Sequence, residues 1–285
     1  MARRELMPGQ KRLTPGGVGA EVLTVLWFVF SLFPIVWLIL LSLKSTEQQQ
    51  NTFFTFTPTL DNFRFVLFGQ TGSDLRQGLF NSLITSAGAV LVSLIIGIPA
   101  AYAAGRWKYK GSDDLMFQML SFRFAPELMV LVPLFIIYRQ TGLLDSSLGL
   151  IWVLQLVTMP LVVWILRSYF QDLPPDLEQA ALLDGYTRTQ AFVRIALPLV
   201  RPGIAAGALL AFIFAWNSYV FPLILANNEL KTVTVAIATF QGGGGQIYYN
   251  HAAAAALIGA LPPLILALSI QRYLVRGLSF GAVKA

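Results

Sequence analysis

Apolar residues in this chain come in long unbroken stretches, and the charges fall between them. Residues 22–43, 77–105, 146–166, 202–228 and 252–271 contain no Asp, Glu, Lys or Arg. Each matches or exceeds the roughly 20 helical residues needed to cross a hydrocarbon core of about 30 Å. A sixth stretch, 115–138, is apolar at both ends but carries Arg123 and Glu127 inside it. In lipid every backbone N–H and C=O has to be satisfied within the segment, so all six are expected to be helices. The pattern predicts an all-α membrane protein with six transmembrane helices.

Composition narrows the functional classes. Hydrophobic residues make up 56% and charged residues 12% of the chain, against about 45–50% and 25% in soluble domains. A soluble enzyme is excluded. With no Cys and one His, there is no disulfide framework, thiolate site or Cys nucleophile, and zinc sites and triads lack their usual residues. The chain is expected to be no enzyme and to hold no metal or cofactor.

The net charge of +6 suggests nucleic acid until its positions are mapped. Arg3, Arg4, Lys11 and Arg12 precede the first span, and Arg106, Lys108 and Lys110 follow the second. Arg167, Arg188, Arg194 and Arg201 lie between the fourth and fifth, and Arg272, Arg276 and Lys284 after the last. With six spans all of these share one side, against only Lys44, Arg64, Arg76 and Lys231 on the other. The positive-inside rule puts that side, with both termini, in the cytoplasm. The excess charge is therefore a topology signal, and no nucleic-acid partner is expected. The first apolar run is too long for a signal-peptide core, so it is read as a span.

The expected organisation is an N-terminal arm (1–20), a first span (21–43), an outer loop (44–76), a core of five spans (77–277) and a tail (278–285). The outer loop is rich in phenylalanine, including Phe53, Phe54, Phe56, Phe63, Phe65 and Phe68, and is expected to pack as a cap. A second outer loop, 227–251, carries Gly242, Gly243, Gly244 and Gly245 ahead of Gln246, Tyr248 and Tyr249. It reads either as a flexible linker or as a mobile contact surface with tyrosine anchors.

The cytoplasmic loop 167–201 is too long for a minimal connection. Pro174 and Pro175 stop one helix, and Asp176 can cap the next. Leu177, Ala180, Ala181 and Leu183 are expected on one side, against Glu178 and Asp184 on the other. Gly185 supplies a C-terminal stop. Thr187 can cap a second short helix carrying Phe192 and Ile195, which Leu197 and Pro198 end. This predicts a helix-turn-helix elbow with a small Ala-lined knob, suited to a groove on another protein. A helix lying on lipid is the alternative, but the loop's balanced charges give it no basic bias.

The segment Glu178-Gln179-Ala180-Ala181-Leu182-Leu183-Asp184-Gly185, followed by Phe192, Ile195, Leu197-Pro198-Leu199 and Pro202, resembles the EAA motif of ABC importer permeases. It departs from that motif at Gln179, where Glu is usual, and at Tyr186, where Ala is common. Asn81-Ser82, Phe214-Ala215-Trp216-Asn217, Gln271-Arg272-Tyr273-Leu274-Val275-Arg276-Gly277-Leu278 and Gly281-Ala282-Val283-Lys284 resemble carbohydrate-importer permeases of the maltose-transporter type. The resemblance implies the type I ABC importer permease fold in a bacterial or archaeal inner membrane. It also implies a second permease subunit, two ATP-binding subunits carrying ATP and Mg, an external solute-binding protein and a carbohydrate substrate. In such proteins the elbow is a coupling helix, which makes Glu178, Gln179, Ala180, Ala181, Asp184, Gly185 and Pro198 candidates for ATPase coupling. By the same analogy 241–250 is a scoop reaching the binding protein, with Gly243, Gly244, Gln246, Tyr248 and Tyr249 as contacts.

Ionisable groups at membrane depth are costly and default to functional candidates. Arg123 and Glu127, four apart, are expected on one helix face, either as a structural ion pair or lining the translocation cavity. Gln155, Asn217 and Tyr219, near Trp152, Trp164 and Trp216, either bind sugar hydroxyls or bridge helices. His251 reads as a solvated interface residue with no role. Pro99, Pro126, Pro133, Pro160 and Pro222 are expected to break or kink spans. An importer of an anionic polyol, phosphorylated or sulfonated, would suit Arg123. A secondary transporter would need its own coupling-ion site or inverted repeats, and one unpaired elbow with no obvious self-similarity argues against it.

Overall fold

The computed structural model describes residues 15–51, 54–69, 72–107, 110–124, 126–226, 229–240 and 248–279. Among them the chain is helical and has no strand. Three helices are long and apolar enough to cross a membrane alone: α1 (Pro15–Ser42), α3 (Gly72–Arg106) and α14 (Tyr249–Ser279). Three further candidates are bent pairs. α4 (Ser112–Ser121) with its following turn meets α5 (Glu127–Thr141) at 89°, and α6 (Ser147–Val153) meets α7 (Gln155–Asp172) at 46°. The elbow helices meet α11 (Arg201–Trp216) at 70°.

α3 and α7 form the centre of the bundle. Ala101 and Ala104 of α3 are buried with Val162, Val163, Leu166 and Phe170 of α7, and Ala211 of α11 joins the same core. α11 approaches α7 so closely that a Cβ on Gly203 would sit 2.5 Å from the Tyr169 ring. Between α3 and α7, Ser93 donates to Gln155 Oε1 and shares a hydrogen bond with Thr158, both at 2.7 Å. Gln155 Nε2 donates to the carbonyls of Ala89 and Ile151. α1 differs from all of these: from residue 19 to 36 it is exposed on every side, and its far end rests on α14. An all-round apolar helix needs lipid or another protein as its surroundings.

Beyond α1 the described residues of 44–69 pack on the bundle as a cap. α2 (Asp61–Phe68) packs on α14 and α3. Asn62 donates to the carbonyls of Ser42 and Lys44, and Asn250 of α14 donates to Asn62 Oδ1 at 2.8 Å. Lys44, expected as a loop charge, is buried, with its ammonium on the Asn51 carbonyl and 4.6 Å over the Trp37 ring. His251 is not a solvated residue. It is half-buried, stacked on Phe65 at 4.3 Å and on Tyr248 at 5.2 Å.

Two expected segments are redrawn. The stretch 202–228 is not one helix: α11 stops at Trp216, and α12 (Val220–Leu225) starts after a non-helical Asn217, Ser218 and Tyr219. Pro222 accounts for the break. It has no N–H for the carbonyl of Ser218, four residues back, and that carbonyl instead accepts from the Thr234 hydroxyl at 2.7 Å. The stretch 227–251 is not all loop either. It contains α13 (Val233–Thr239), whose Val233, Val235 and Ala236 are buried in packing on α3 and α14. The start of α13 is held by α3: the Val233 N–H donates to Ser82 Oγ at 2.9 Å and Asn81 donates to the Lys231 carbonyl.

Candidate functional site

The elbow is built by helix stops and starts. α8 (Pro175–Leu183) begins at Pro175, so Asp176 lies within its first turn and is not its cap. Its C-terminus closes as a Schellman turn. Gly185 stands at φ 88, its N–H donates to the Leu182 carbonyl, and the Tyr186 N–H reaches the Ala181 carbonyl. α9 (Arg188–Ala191) opens on the expected Thr187, in a full capping box with Gln190. Pro198 does not end the segment. The chain widens into a π-helical stretch, Phe192–Ala196, and passes through α10 (Leu197–Leu199) before turning into α11.

The expected faces of α8 are rearranged. Ala181 is buried, but Leu183 is 89% exposed, the most exposed large apolar side chain among the described residues. Gln179, Ala180, Leu182 and Asp184 are exposed beside it. Glu178 turns the other way. Its Oε2 accepts from the Tyr102 hydroxyl at 2.7 Å, and its Oε1 accepts from Arg106 Nε at 2.8 Å and Nη2 at 2.7 Å. Tyr102 in turn packs between Phe170 and Phe192, with ring centroids 5.3 and 4.4 Å away. Behind α8 lies a cavity of about 800 Å³ crossed by the Arg106–Glu178 and Arg167–Asp113 ion pairs. The elbow therefore offers a small, mostly neutral knob, with its one well-engaged acid facing its own bundle.

The membrane-depth candidates separate. Arg123 and Glu127 do not share a helix face. Arg123 sits in the turn Phe122–Phe124, while Glu127 opens α5 across the 89° bend. Pro126, extended at ψ 124 and without an N–H, stops a helix from running through. Among the described residues the two form no ion pair. The Arg123 guanidinium lies 4.5 Å over the Phe214 ring of α11. Asn217, three residues beyond Phe214, is exposed at the break and lines a cavity of about 500 Å³ with Trp216, Thr234, Gly259 and Pro263. Tyr219 is 40% exposed. Gln155 is buried with both ends of its amide engaged, the helix-bridging alternative. Of the scoop candidates, Gly243, Gly244 and Gln246 lie outside the described residues. Tyr248 stacks on His251, and Tyr249, 48% exposed, starts α14. Among the described residues no three His, Asp or Glu side chains converge as a metal site.

Residues 93–280 match the family described as binding-protein-dependent transport system inner membrane component. The chain belongs to that family. This permease is 35% identical to the trehalose transport system permease protein SugB of Mycobacterium tuberculosis, over 92% of its own length and 96% of that protein's. It is 34% identical to the trehalose/maltose transport system permease protein MalG of Thermococcus litoralis, over 91% and 94%. A chain from a bacterial ABC transporter that imports the acidic polysaccharide alginate shares its fold, with a TM-score of 0.74 at 22% identity, covering 94% of the permease and 99% of that chain. The permease is a multi-pass inner membrane protein and a non-catalytic transport subunit.

Sequence reasoning missed Tyr102, Arg106 and Trp216 as organising residues. A signal was present for Trp216. Pro263 frees the carbonyl of Gly259, and such a group inside a span needs a donor from a neighbouring helix.

Proposed function

We propose that this permease imports a carbohydrate, an oligosaccharide, disaccharide, glycoside or polyol, by coupling ATP hydrolysis in partner subunits to alternating access. Its partners are a second permease, two ATP-binding subunits that carry ATP and Mg, and an external solute-binding protein. Both termini and the elbow face the cytoplasm. The observation that carries the reading is the elbow's knob: a capped, Schellman-closed helix holding Leu183 almost fully in the open, flanked by Gln179, Ala180 and Leu182. An apolar side chain fixed in that way suits a pocket on a protein outside the bilayer. The relatives' trehalose and maltose supply the substrate class. Arg123, held over the Phe214 ring, with Asn217 and Tyr219 supply the polar groups of the path, and Asn217 borders a cavity where the backbone is unwound.

The test is affinity purification of the tagged chain from membranes, together with its neighbouring gene products. The expected outcome is recovery of a second permease and an ATP-binding subunit. Leu183→Asp should release the ATP-binding subunit while retaining the second permease, and uptake of labelled trehalose or maltose should then fall. Full recovery and full uptake in that variant would sink the docking role of the knob.

A further inference from the structure

The elbow's covalent connections to the bundle are both bends. Towards α7 it hangs on Leu173 and Pro174, which are extended, and towards α11 it passes a π-helical stretch and a 70° turn. Neither is a straight continuous helix, although Ala196 and Val200 of the exit are buried in the α3–α7 core. The hydrogen-bonded attachment of α8 is lateral, to α3. Arg106, the last residue of α3, gives Nε and Nη2 to Glu178 and Nη1 to the Leu173 carbonyl at 2.7 Å, so one guanidinium grips both the knob helix and its entry turn. Tyr102, one turn earlier, donates to the other oxygen of the same carboxylate. The Arg106 and Glu178 side chains are only 11% and 15% exposed, so water competes weakly for these bonds. A planar fork holding acceptors on two elements fixes orientation as well as distance.

α3 then carries that attachment a long way. It runs as one helix of 35 residues through Pro99, on the order of 50 Å at 1.5 Å per residue. At its other end Asp74 pairs with Lys231 at 2.9 Å, while Asn81 and Ser82 hold the start of α13. The same rigid element thus grips the knob at one face of the bundle and the α13 strap at the other.

We propose that Arg106 is a positioning residue: through Glu178 it makes α3 follow the elbow as one body, so that a push on the knob moves the α13 strap on the opposite side. The assignment rests on the elbow being the ATPase docking element, and it concerns the α3 attachment alone.

The chain has no Cys, which allows a direct test in the assembled transporter with cysteine-free partner subunits. Spin labels on Thr189→Cys, exposed in the elbow, and Ile95→Cys, 63% exposed on α3, report the distance between the two elements. The distance is measured without nucleotide and with ATP, Mg and vanadate. With Arg106 intact it should stay the same in both states. In Arg106→Gln it should shift with nucleotide by about 2 Å or more, the scale of helix shifts in switching proteins. Basal ATP hydrolysis should persist. The charge-exchanged pair Arg106→Glu with Glu178→Arg should restore the fixed distance, which a merely local packing role would not predict. If Arg106→Gln does not assemble, Tyr102→Phe removes one bond, keeps the ring, and should give a smaller shift of the same kind. A distance that moves in the parent protein, or one indifferent to both variants, overturns the proposal while leaving ATPase docking intact. Failure of the ATP-binding subunit to co-purify with the parent chain overturns docking itself, and the lever with it.

Discussion

The indole N–H of Trp216 donates to the carbonyl oxygen of Gly259 at 3.0 Å, in the buried contact between α11 and α14. Gly259 lies four residues before Pro263, whose ring nitrogen has no hydrogen to give that carbonyl. The Ser218 carbonyl, four before Pro222, is satisfied in the same manner by Thr234. Two prolines at membrane depth are thus tolerated because a side chain from a neighbouring element supplies each missing donor. Both donated bonds border the cavity at the α11 break.

Trp216→Phe keeps the ring packing against Phe212 and removes only the donor. It should lower stability in detergent by about 1 kcal/mol, since hydrogen bonds between membrane helices average near 0.6 and the stranded acceptor adds to that. Pro263→Ala restores a backbone N–H to the Gly259 carbonyl, so in that background Trp216→Phe should cost close to nothing. Thermal unfolding of the four variants measures the coupling, and equal losses in both backgrounds would refute it.

Gly185→Ala should loosen the elbow. A non-glycine residue at φ 88 pays about 1–2 kcal/mol in the left-handed region, although open space surrounds the missing Cβ. The strain therefore comes from the backbone and not from crowding. The expected result is faster proteolysis at the α8–α9 turn and weaker retention of the ATP-binding subunit, with the spans unaffected. Thr187→Ala, which removes the cap on α9, should act in the same direction by about 1 kcal/mol.

Arg123 and Glu127 should behave independently. The guanidinium lies over the Phe214 ring and the carboxylate opens α5, so neither is the other's partner. Arg123→Gln should reduce solute uptake with assembly intact, whereas Glu127→Gln should leave uptake near that of the parent. The double variant should combine the two effects additively within about 0.5 kcal/mol. A solute with a sulfonate or phosphate would make the Arg123→Gln loss much larger than a neutral disaccharide would. Uptake of both kinds by the same variant therefore reads the charge preference directly.

What was legible in the sequence was whatever local chemistry determines. Uncharged runs of span length marked the long helices, Pro174 with Gly185 bracketed α8, and Thr187 announced the next start. Most departures depend on a partner distant in the chain. The break at Asn217 requires Thr234 to satisfy Ser218, and the inward turn of Glu178 requires Arg106. α13 reads as loop because its seven residues are stabilised by burial against α3 and α14 and by Ser82, not by a periodic apolar stripe of its own. The four-residue spacing of Arg123 and Glu127 carries meaning only on a continuous helix, and Pro126 removes it.

Asp145 offers a final test of the strap on that side of the bundle. It is the one non-glycine residue at positive φ among the described residues, at 55°, and its two carboxylate oxygens accept from the backbone N–H groups of Glu229 and Leu230. Its own N–H donates to the Leu225 carbonyl, so it joins the α5–α6 turn to both ends of the α12–α13 connection. Asp145→Gly relieves the backbone strain but removes both acceptors. If the acceptors dominate, hydrogen exchange at Glu229 and Leu230 should accelerate by about tenfold, the equivalent of 1.4 kcal/mol, with α7 unchanged. Asp145→Asn keeps one acceptor oxygen and tolerates the same backbone, so its effect should fall between the parent and Asp145→Gly. Slower exchange in Asp145→Gly would mean that backbone strain, and not hydrogen bonding, limits the strap.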